Sequence, residues 1–270
     1  MKFININKNL IVLFFLCQIL NLSCKIESPI DKADWELTFS DEFSDTVLNH
    51  NIWKTEFPWG QSSSDDNMYY YIDSAFAIKD GILHIQAKRD TVMGLVHDDN
   101  YNYSYKQFYL TSGMLQSADS FSQQYGYFEI RSKVPYGMGF WPAFWLMVYS
   151  GWPPEIDVYE IMGSQPNRLH MANHFRDKNS IHRQNAITIN GPDFSQDFHT
   201  FAIEWNPKEI IWYLDDVKVF RSEIGIPEER MYLILTLALG GDFAGEIDNT
   251  TPLPNSFDID YIRVYRKKGT

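Results

Sequence analysis

The chain has 270 residues and a net charge of −12, and aromatic residues make up 16% of it. The acidic balance argues against nucleic acid as a partner and against a polybasic membrane-binding surface. The two cysteines, Cys17 and Cys24, both lie in the first two dozen residues, which excludes disulfides, thiol catalysis and finger-type zinc sites from the remainder.

Those first residues read as an export signal. Lys2 and Lys8 give a basic start, and residues 10–20 an apolar run. At about 11 residues that run is short of the ~20 that span a bilayer. Leu22-Ser23-Cys24 resembles a bacterial lipoprotein box, with Asn21 where an aliphatic residue is usual. Residues 1–24 are therefore expected to be a signal peptide with Cys24 as the lipid-bearing residue. The mature protein is expected at the bacterial outer membrane or cell surface, held by acyl chains, or else secreted. Residues 25–33 read as a linker and 34–268 as one domain.

No helical periodicity runs longer than two turns. Short alternating segments separated by Gly, Pro, Asn, Asp and Ser clusters predict an all-β fold, an antiparallel β-sandwich. Residues 35–39 alternate cleanly. Residues 75–78 and 82–87 read as two strands around the Asp80-Gly81 turn. Residues 61–67 and 91–106 are polar and read as loops. Residues 113–117 and 126–134 read as a hairpin pair, and in the second strand Phe128, Ile130 and Ser132 share one face. Residues 140–147 are almost entirely apolar, which predicts a central strand covered on both sides. Segments 197–205, 210–213, 217–220, 232–239 and 257–265 supply the remaining strands, with Asp215-Asp216 as a hairpin turn.

The unusual stretch is Glu155-Ile156-Asp157-Val158-Tyr159-Glu160, between Pro153-Pro154 and Gly163. Its apolar residues favour a strand, and period 2 puts Glu155 and Asp157 on one face. Glu160, five positions from Glu155, joins them only if a bulge near Val158-Tyr159 restores the phase. Three acids on one face do not suit a dry core, so they mark a metal site, a solvated edge or a catalytic cleft. Calcium sites surround such oxygens with Gly, Asn and Asp; here the neighbours are Ile, Val and Tyr, which favours the cleft. Chemistry that needs two carboxylates in different protonation states is glycoside cleavage, and ~5 Å between them gives retention of configuration.

This acid strand, preceded by Gly139-Phe140-Trp141-Pro142-Ala143-Phe144-Trp145-Leu146, resembles the signature of glycoside hydrolase family 16 in its bulged-strand, laminarinase-like form. The blocks at residues 35–43, 109–113, 126–131, 198–205 and 259–265 follow in the same order. The resemblance implies a jelly-roll sandwich with a concave substrate cleft and no cofactor for catalysis. It implies Glu155 as nucleophile, Glu160 as general acid/base and Asp157 as their electrostatic partner. It also implies Trp141, Trp145, His174 and Trp205 as substrate-binding residues, and a structural calcium held by Asp260 with carbonyls near Glu42 and Gly81. Thr236 stands where many laminarinases have asparagine, which leaves the linkage preference open.

The expected activity is endo-acting hydrolysis of β-1,3- or mixed β-1,3/1,4-glucans by a monomer whose partner is the polysaccharide. The alternatives are a hydrolase of a marine galactan such as agar, porphyran or carrageenan, and a non-catalytic glycan-binding protein. Arg168, Arg176, Lys178, His182 and Arg183 form the basic cluster that could serve sulfate groups.

Overall fold

The computed structural model describes residues 30–60, 68–98 and 102–269. The signal segment, Cys24 and the polar stretch 61–67 lie outside the described residues. The first nine strands are β1 (Trp35–Asp41), β2 (Tyr70–Tyr71), β3 (Phe76–Lys79), β4 (Ile82–His97), β5 (Tyr103–Ser112), β6 (Met114–Gln116), β7 (Ser122–Gln123), β8 (Gly126–Lys133) and β9 (Phe140–Val148). The others are β10 (Glu155–Glu160), β11 (Arg168–Arg176), β12 (His182–Asn190), β13 (His199–Trp205), β14 (Ile210–Leu214), β15 (Val217–Ser222), β16 (Met231–Leu239) and β17 (Asn255–Lys267). A 3-10 turn at Lys32–Asp34 and a short α-helix, Gly241–Ala244, are the helices among the described residues, and neither is long and apolar enough to cross a membrane.

The strands form two sheets, a jelly-roll sandwich as the alternating pattern predicts. One runs β15-β14-β13-β8-β17-β4-β5-β2, with β1 on β17 and β3 on β4; the other runs β12-β11-β10-β9-β16-β6, with β7 on β16. Phe128, Ile130, Phe201, Ile203, Phe257 and Ile259 from the first sheet meet Phe144, Leu146, Ile156, Val158, Leu233 and Leu235 from the second in one buried core. Fully burying each such side chain stabilises the fold by about 1.5–3 kcal/mol. Gly163 ends the acid strand where the chain passes the β8–β9 turn: a Cβ there would sit 2.5 Å from the carbonyl oxygen of Gly137.

Four expectations change. Residues 113–117 and 126–134 are not a hairpin pair: β6 adds to β16, and β8 lies between β13 and β17 in the opposite sheet. Residues 91–97 and 103–106 are not loop but the outer part of a long β4–β5 hairpin. Their polarity follows from projecting past the sandwich, with Gly94, Val96 and Phe108 buried against Tyr70. Strand β9 is central, and its outer side is covered only in part: Ala143 and Met147 are buried there, Met147 in a second apolar cluster with Tyr232 and Ile234. Phe144, Leu146 and Val148 point inward, whereas Trp141 and Trp145 are partly exposed on the outer face.

The fourth concerns Trp205, which is no sugar platform. It lies on β13 in the sheet opposite the acids, is 1% exposed, and donates its indole N–H to the carbonyl of Pro227 at 3.2 Å. Phe128 and Tyr125 pack against its ring. Truncating a buried aromatic of this kind costs about 3–5 kcal/mol. Trp205→Ala is therefore expected to lower unfolding free energy in urea by that amount; a near-wild-type midpoint would return Trp205 to the surface.

Candidate active site

The three acids share a face because β10 is bulged. On its β9 side Glu155, Asp157 and Glu160 pair with Met147, Trp145 and Ala143; on its β11 side they pair with His174, Ala172 and His170. Both neighbours advance in steps of two while β10 advances by two and then by three, so the extra residue falls at Val158-Tyr159. A bulge takes backbone groups out of the ladder. Here Trp212, on β14 of the opposite sheet, reaches through the core and donates its indole N–H to the carbonyl of Asp157 at 2.8 Å. Tyr159, turned into the core, shares a hydrogen bond between its hydroxyl and that of Ser132 at 2.7 Å.

The acids line a cleft of about 300 Å³ on the outer face of the β9–β10–β16 region, together with Trp141, Trp145, Thr236, Phe57, Trp59 and Tyr71. Trp141 donates its indole N–H to Glu160 Oε1 at 3.0 Å. His174 Nε2–H donates to Asp157 Oδ2 at 3.1 Å and lies 3.7 Å from Glu155 Oε1. On its other edge, His174 Nδ1 shares a hydrogen bond of 2.9 Å with Nε2 of His182. The two imidazoles are near coplanar, 14° apart, and the indole of Trp152 packs on His182. Glu155, Asp157, His174 and His182 thus form one hydrogen-bonded or ion-paired line from the buried carboxylates to solvent.

Burial sets the charge state of this cluster. Desolvation first, and the neighbouring Asp157 carboxylate second, push Glu155 up to about 8, against a hydrogen bond from the Trp152 side chain. Asp157 is raised well above its ordinary value by burial and then by Glu160. Glu160 is raised by burial, opposed by the Trp141 hydrogen bond and by His174. Near neutrality the three carboxyls therefore hold at least one proton among them, the condition that acid/base chemistry between paired carboxylates requires.

Glu155, Asp157 and His174 offer ligand atoms all within 4.8 Å of one another, but His174 already donates to one of them, and a protonated carboxyl is a poor cation ligand. The calcium set expected on the other sheet does not fit. The carboxylate of Asp260 is engaged by Arg131, and that of Glu42 by Arg263 through two hydrogen bonds of 2.8 and 2.7 Å. Arg263 is the main cause of the lowered pKa of Glu42. Gly81 sits in the β3–β4 turn with open space around it and brings no charge. Arg131 thus occupies the one carboxylate of the expected set, which leaves a cation only backbone carbonyls there.

The structure brings together Glu155, Asp157, Glu160, Trp141, Trp145 and His174, and leaves out Trp205, Asp260, Glu42 and Gly81. Reasoning from sequence missed Trp152 and the aromatic wall of Phe57, Trp59, Tyr69 and Tyr71, and it assigned His182 to a sulfate-binding cluster, whereas His182 bonds to His174. Phe57 and Trp59 stack in parallel at 4.7 Å, and Tyr69 and Tyr71 meet edge to face. The density of aromatics in 57–71 was the available signal. The basic cluster does not form a sulfate patch. Arg176 donates to the carbonyls of Trp152 and Ser180, Arg183 to Asp177 and Arg168 to Gln165.

Fold and site define a β-jelly-roll protein with a paired-carboxylate, aromatic-lined cleft. The sequence profile of glycosyl hydrolases family 16 matches residues 67–263, and the chain belongs to that family. It is 32% identical over 256 residues to the endo-1,3-1,4-beta-glycanase ExsH of Rhizobium meliloti, covering 87% of this chain and 53% of that protein. Thus the chain spans about half the length of the first curated relatives it matches. The beta-glucanase of Rhodothermus marinus is 30% identical, with 94% of this chain and 93% of that protein covered. The laminarinase catalytic domain of Thermotoga maritima superposes with a TM-score of 0.72 at 31% identity, over 87% of this chain and 99% of that one.

The raised pKa of Glu155 has a consequence for stability. Its proton is bound more tightly in the folded than in the unfolded state, so its contribution is full below about 4.5 and is lost as pH rises through about 8. Glu155→Gln cannot ionise and escapes that loss. Its unfolding free energy is expected to exceed wild type at pH 8, by an amount on the order of 1–3 kcal/mol shared among the coupled acids, and to equal it near pH 4. Scanning calorimetry at both pH values checks this; a constant difference between them would contradict it.

Proposed function

We propose that the protein is a retaining endo-β-glucanase that cleaves β-1,3- or mixed β-1,3/1,4-linked glucans. The observation that carries the reading is the bulge that sets Glu155 and Glu160 on one cleft face with Asp157 between them. Family membership and the glucanases and laminarinases among the relatives support it.

Glu155, ionised, attacks the anomeric carbon of the sugar bound beside it. Glu160, protonated, gives its proton to the departing glycosidic oxygen. A covalent glycosyl ester forms on Glu155, and the reducing-end fragment leaves. Glu160, now a carboxylate, takes a proton from an incoming water, which displaces Glu155 and restores the β configuration. Asp157, raised by burial and by Glu160, shares the proton balance of the cluster, so that one neighbour stays protonated while the other ionises. His174, donating to Asp157 and close to Glu155, shifts that balance as charge moves along the strand. Its N–H favours carboxylate oxygens, so it opposes the burial that raises Glu155 and eases ionisation of the nucleophile.

Trp141 has a second role. Its indole N–H on Glu160 Oε1 fixes the acid's rotamer, and its ring forms part of the sugar-binding floor with Trp145. Because Arg168, Arg176 and Arg183 are committed to neighbouring groups, the cleft is suited to an uncharged glycan, which favours glucan over sulfated galactan. The polysaccharide is the partner, and the enzyme acts as a monomer.

Residues 1–24 support export, and Leu22-Ser23-Cys24 supports acylation at Cys24, which would hold the enzyme on the outer membrane or cell surface. Expressed in a Gram-negative host, the full chain is expected in the membrane fraction and Cys24→Ser in the soluble fraction. The same distribution for both would end the lipoprotein reading.

For the reaction itself, Glu155→Gln is expected to lose at least about 10³-fold in reducing-sugar release from laminarin and mixed-linkage glucan while still retaining polymer in affinity gels. Proton NMR of the first product from wild type is expected to show the β anomer. Hydrolysis undiminished in Glu155→Gln would reject the nucleophile, and a first-formed α anomer would reject the double displacement.

A further inference from the structure

We infer that the outer face of the β4–β5 hairpin is a second carbohydrate-binding surface that takes the glucan chain as it leaves the catalytic cleft. The inference rests on the proposed glucanase activity and extends it to a surface outside the cleft.

The cross-strand register puts Leu95 opposite Tyr105 and His97 opposite Tyr103, with Met93 two residues before Leu95 on the same strand face. The odd-numbered side chains of the hairpin therefore share one face, while Val96 and Phe108 pack inward on Tyr70. Tyr103 and Tyr105 are 62% and 73% exposed, and Met93 and Leu95 are exposed beside them. Two apolar and two aromatic side chains adjoining on a projecting hairpin are not needed for its own folding, since the buried side of the hairpin already meets Tyr70. Exposed apolar clusters of this kind mark binding surfaces.

This face meets Trp59 and Glu56 in a depression of about 370 Å³. Trp59 also lines the cleft that holds the three acids, so it is the common wall of the two sites. Its indole lies parallel to Phe57, 4.7 Å away, which fixes its orientation, and the residue is still 43% exposed. A chain bound over the acids and running past Trp59 enters the hairpin depression without leaving the protein surface.

The chemistry of the depression selects the occupant. Tyrosine and indole rings match the apolar C–H faces of pyranose rings, and the phenol hydroxyls serve sugar hydroxyls at their edge. Among its described lining residues no lysine or arginine occurs, and the acidic side chain there is Glu56. A carboxylate accepts from neutral sugar hydroxyls and repels sulfate or uronate groups. The class of ligand is therefore an uncharged β-glucan long enough to extend past Trp59.

Tyr103→Ala/Tyr105→Ala removes the two rings from an exposed face, so wild-type thermal stability is expected. On polymeric β-1,3-glucan its KM is expected to rise about 10-fold, because two rings no longer stack on the sugar, with kcat unchanged. On a β-1,3-linked oligosaccharide too short to extend from the acids past Trp59, KM and kcat are expected to match wild type. An unchanged KM on the polymer overturns the inference, and so does an equal loss on both substrates, which would make the hairpin a support of the cleft. A wild-type dimer in sedimentation that the double variant dissolves would make this face a self-association surface and overturn it as well. Failure of the wild-type protein to release sugar from any β-glucan is a different result: it removes the glucanase reading and this inference with it.

Discussion

The hydrogen bond from Trp212 to the carbonyl of Asp157 holds the feature on which the site depends. A regular β10 would send Glu160 into the core with Ile156 and Val158, where an unpaired carboxylate costs several kcal/mol. The bulge reverses that, at the expense of local ladder pairing. Trp212, itself fully buried, supplies a donor at the irregularity from the far sheet. The core packing between sheets and the placement of the acids are thus one structural fact: moving the sheets apart would free the bulge to relax.

The same burial that stabilises the sandwich makes the acid strand expensive. Desolvation is the leading cause of the upward shift at Glu155, Asp157 and Glu160 alike. Only a few polar groups relieve it, chiefly the indoles of Trp141 and Trp152 and the imidazole of His174. A fold selected for stability alone would replace such acids by apolar residues. Their retention in an aromatic cleft fits a site where proton sharing between carboxyls performs work. The line from Asp157 through His174 to His182 gives the buried proton balance a route toward solvent.

Much of this was legible in the sequence because it depends on local alternation. The proline pair, the glycine at 163 and the spacing of the acids define the strand and demand the bulge at Val158-Tyr159, and both neighbouring registers carry it. What was not legible depends on partners distant in the chain. Trp205 reads like Trp141, an aromatic in an alternating strand, and only the sheet to which β13 belongs decides that it is core. Asp260 and Glu42 look like cation ligands until Arg131 and Arg263, brought in by pairing of β17 with β8 and β1, claim them. The outer part of the β4–β5 hairpin is polar because it leaves the sandwich, so its alternation carries no core signal. Phe57, Trp59, Tyr69 and Tyr71 form the cleft wall through ring packing rather than strand periodicity.

The central claim is that Glu155 and Glu160 act from the same face in distinct roles, and azide rescue tests it most directly. Each residue is replaced by alanine and given an activated aryl β-laminaribioside with sodium azide. In Glu155→Ala the azide takes the place of the nucleophile and attacks from the opposite face, so the account predicts an α-glycosyl azide. In Glu160→Ala the glycosyl ester still forms on Glu155 and azide displaces it, so the account predicts a β-glycosyl azide. The opposite pair of products would exchange the two roles, and rescue of neither variant would contradict the catalytic assignment of the strand.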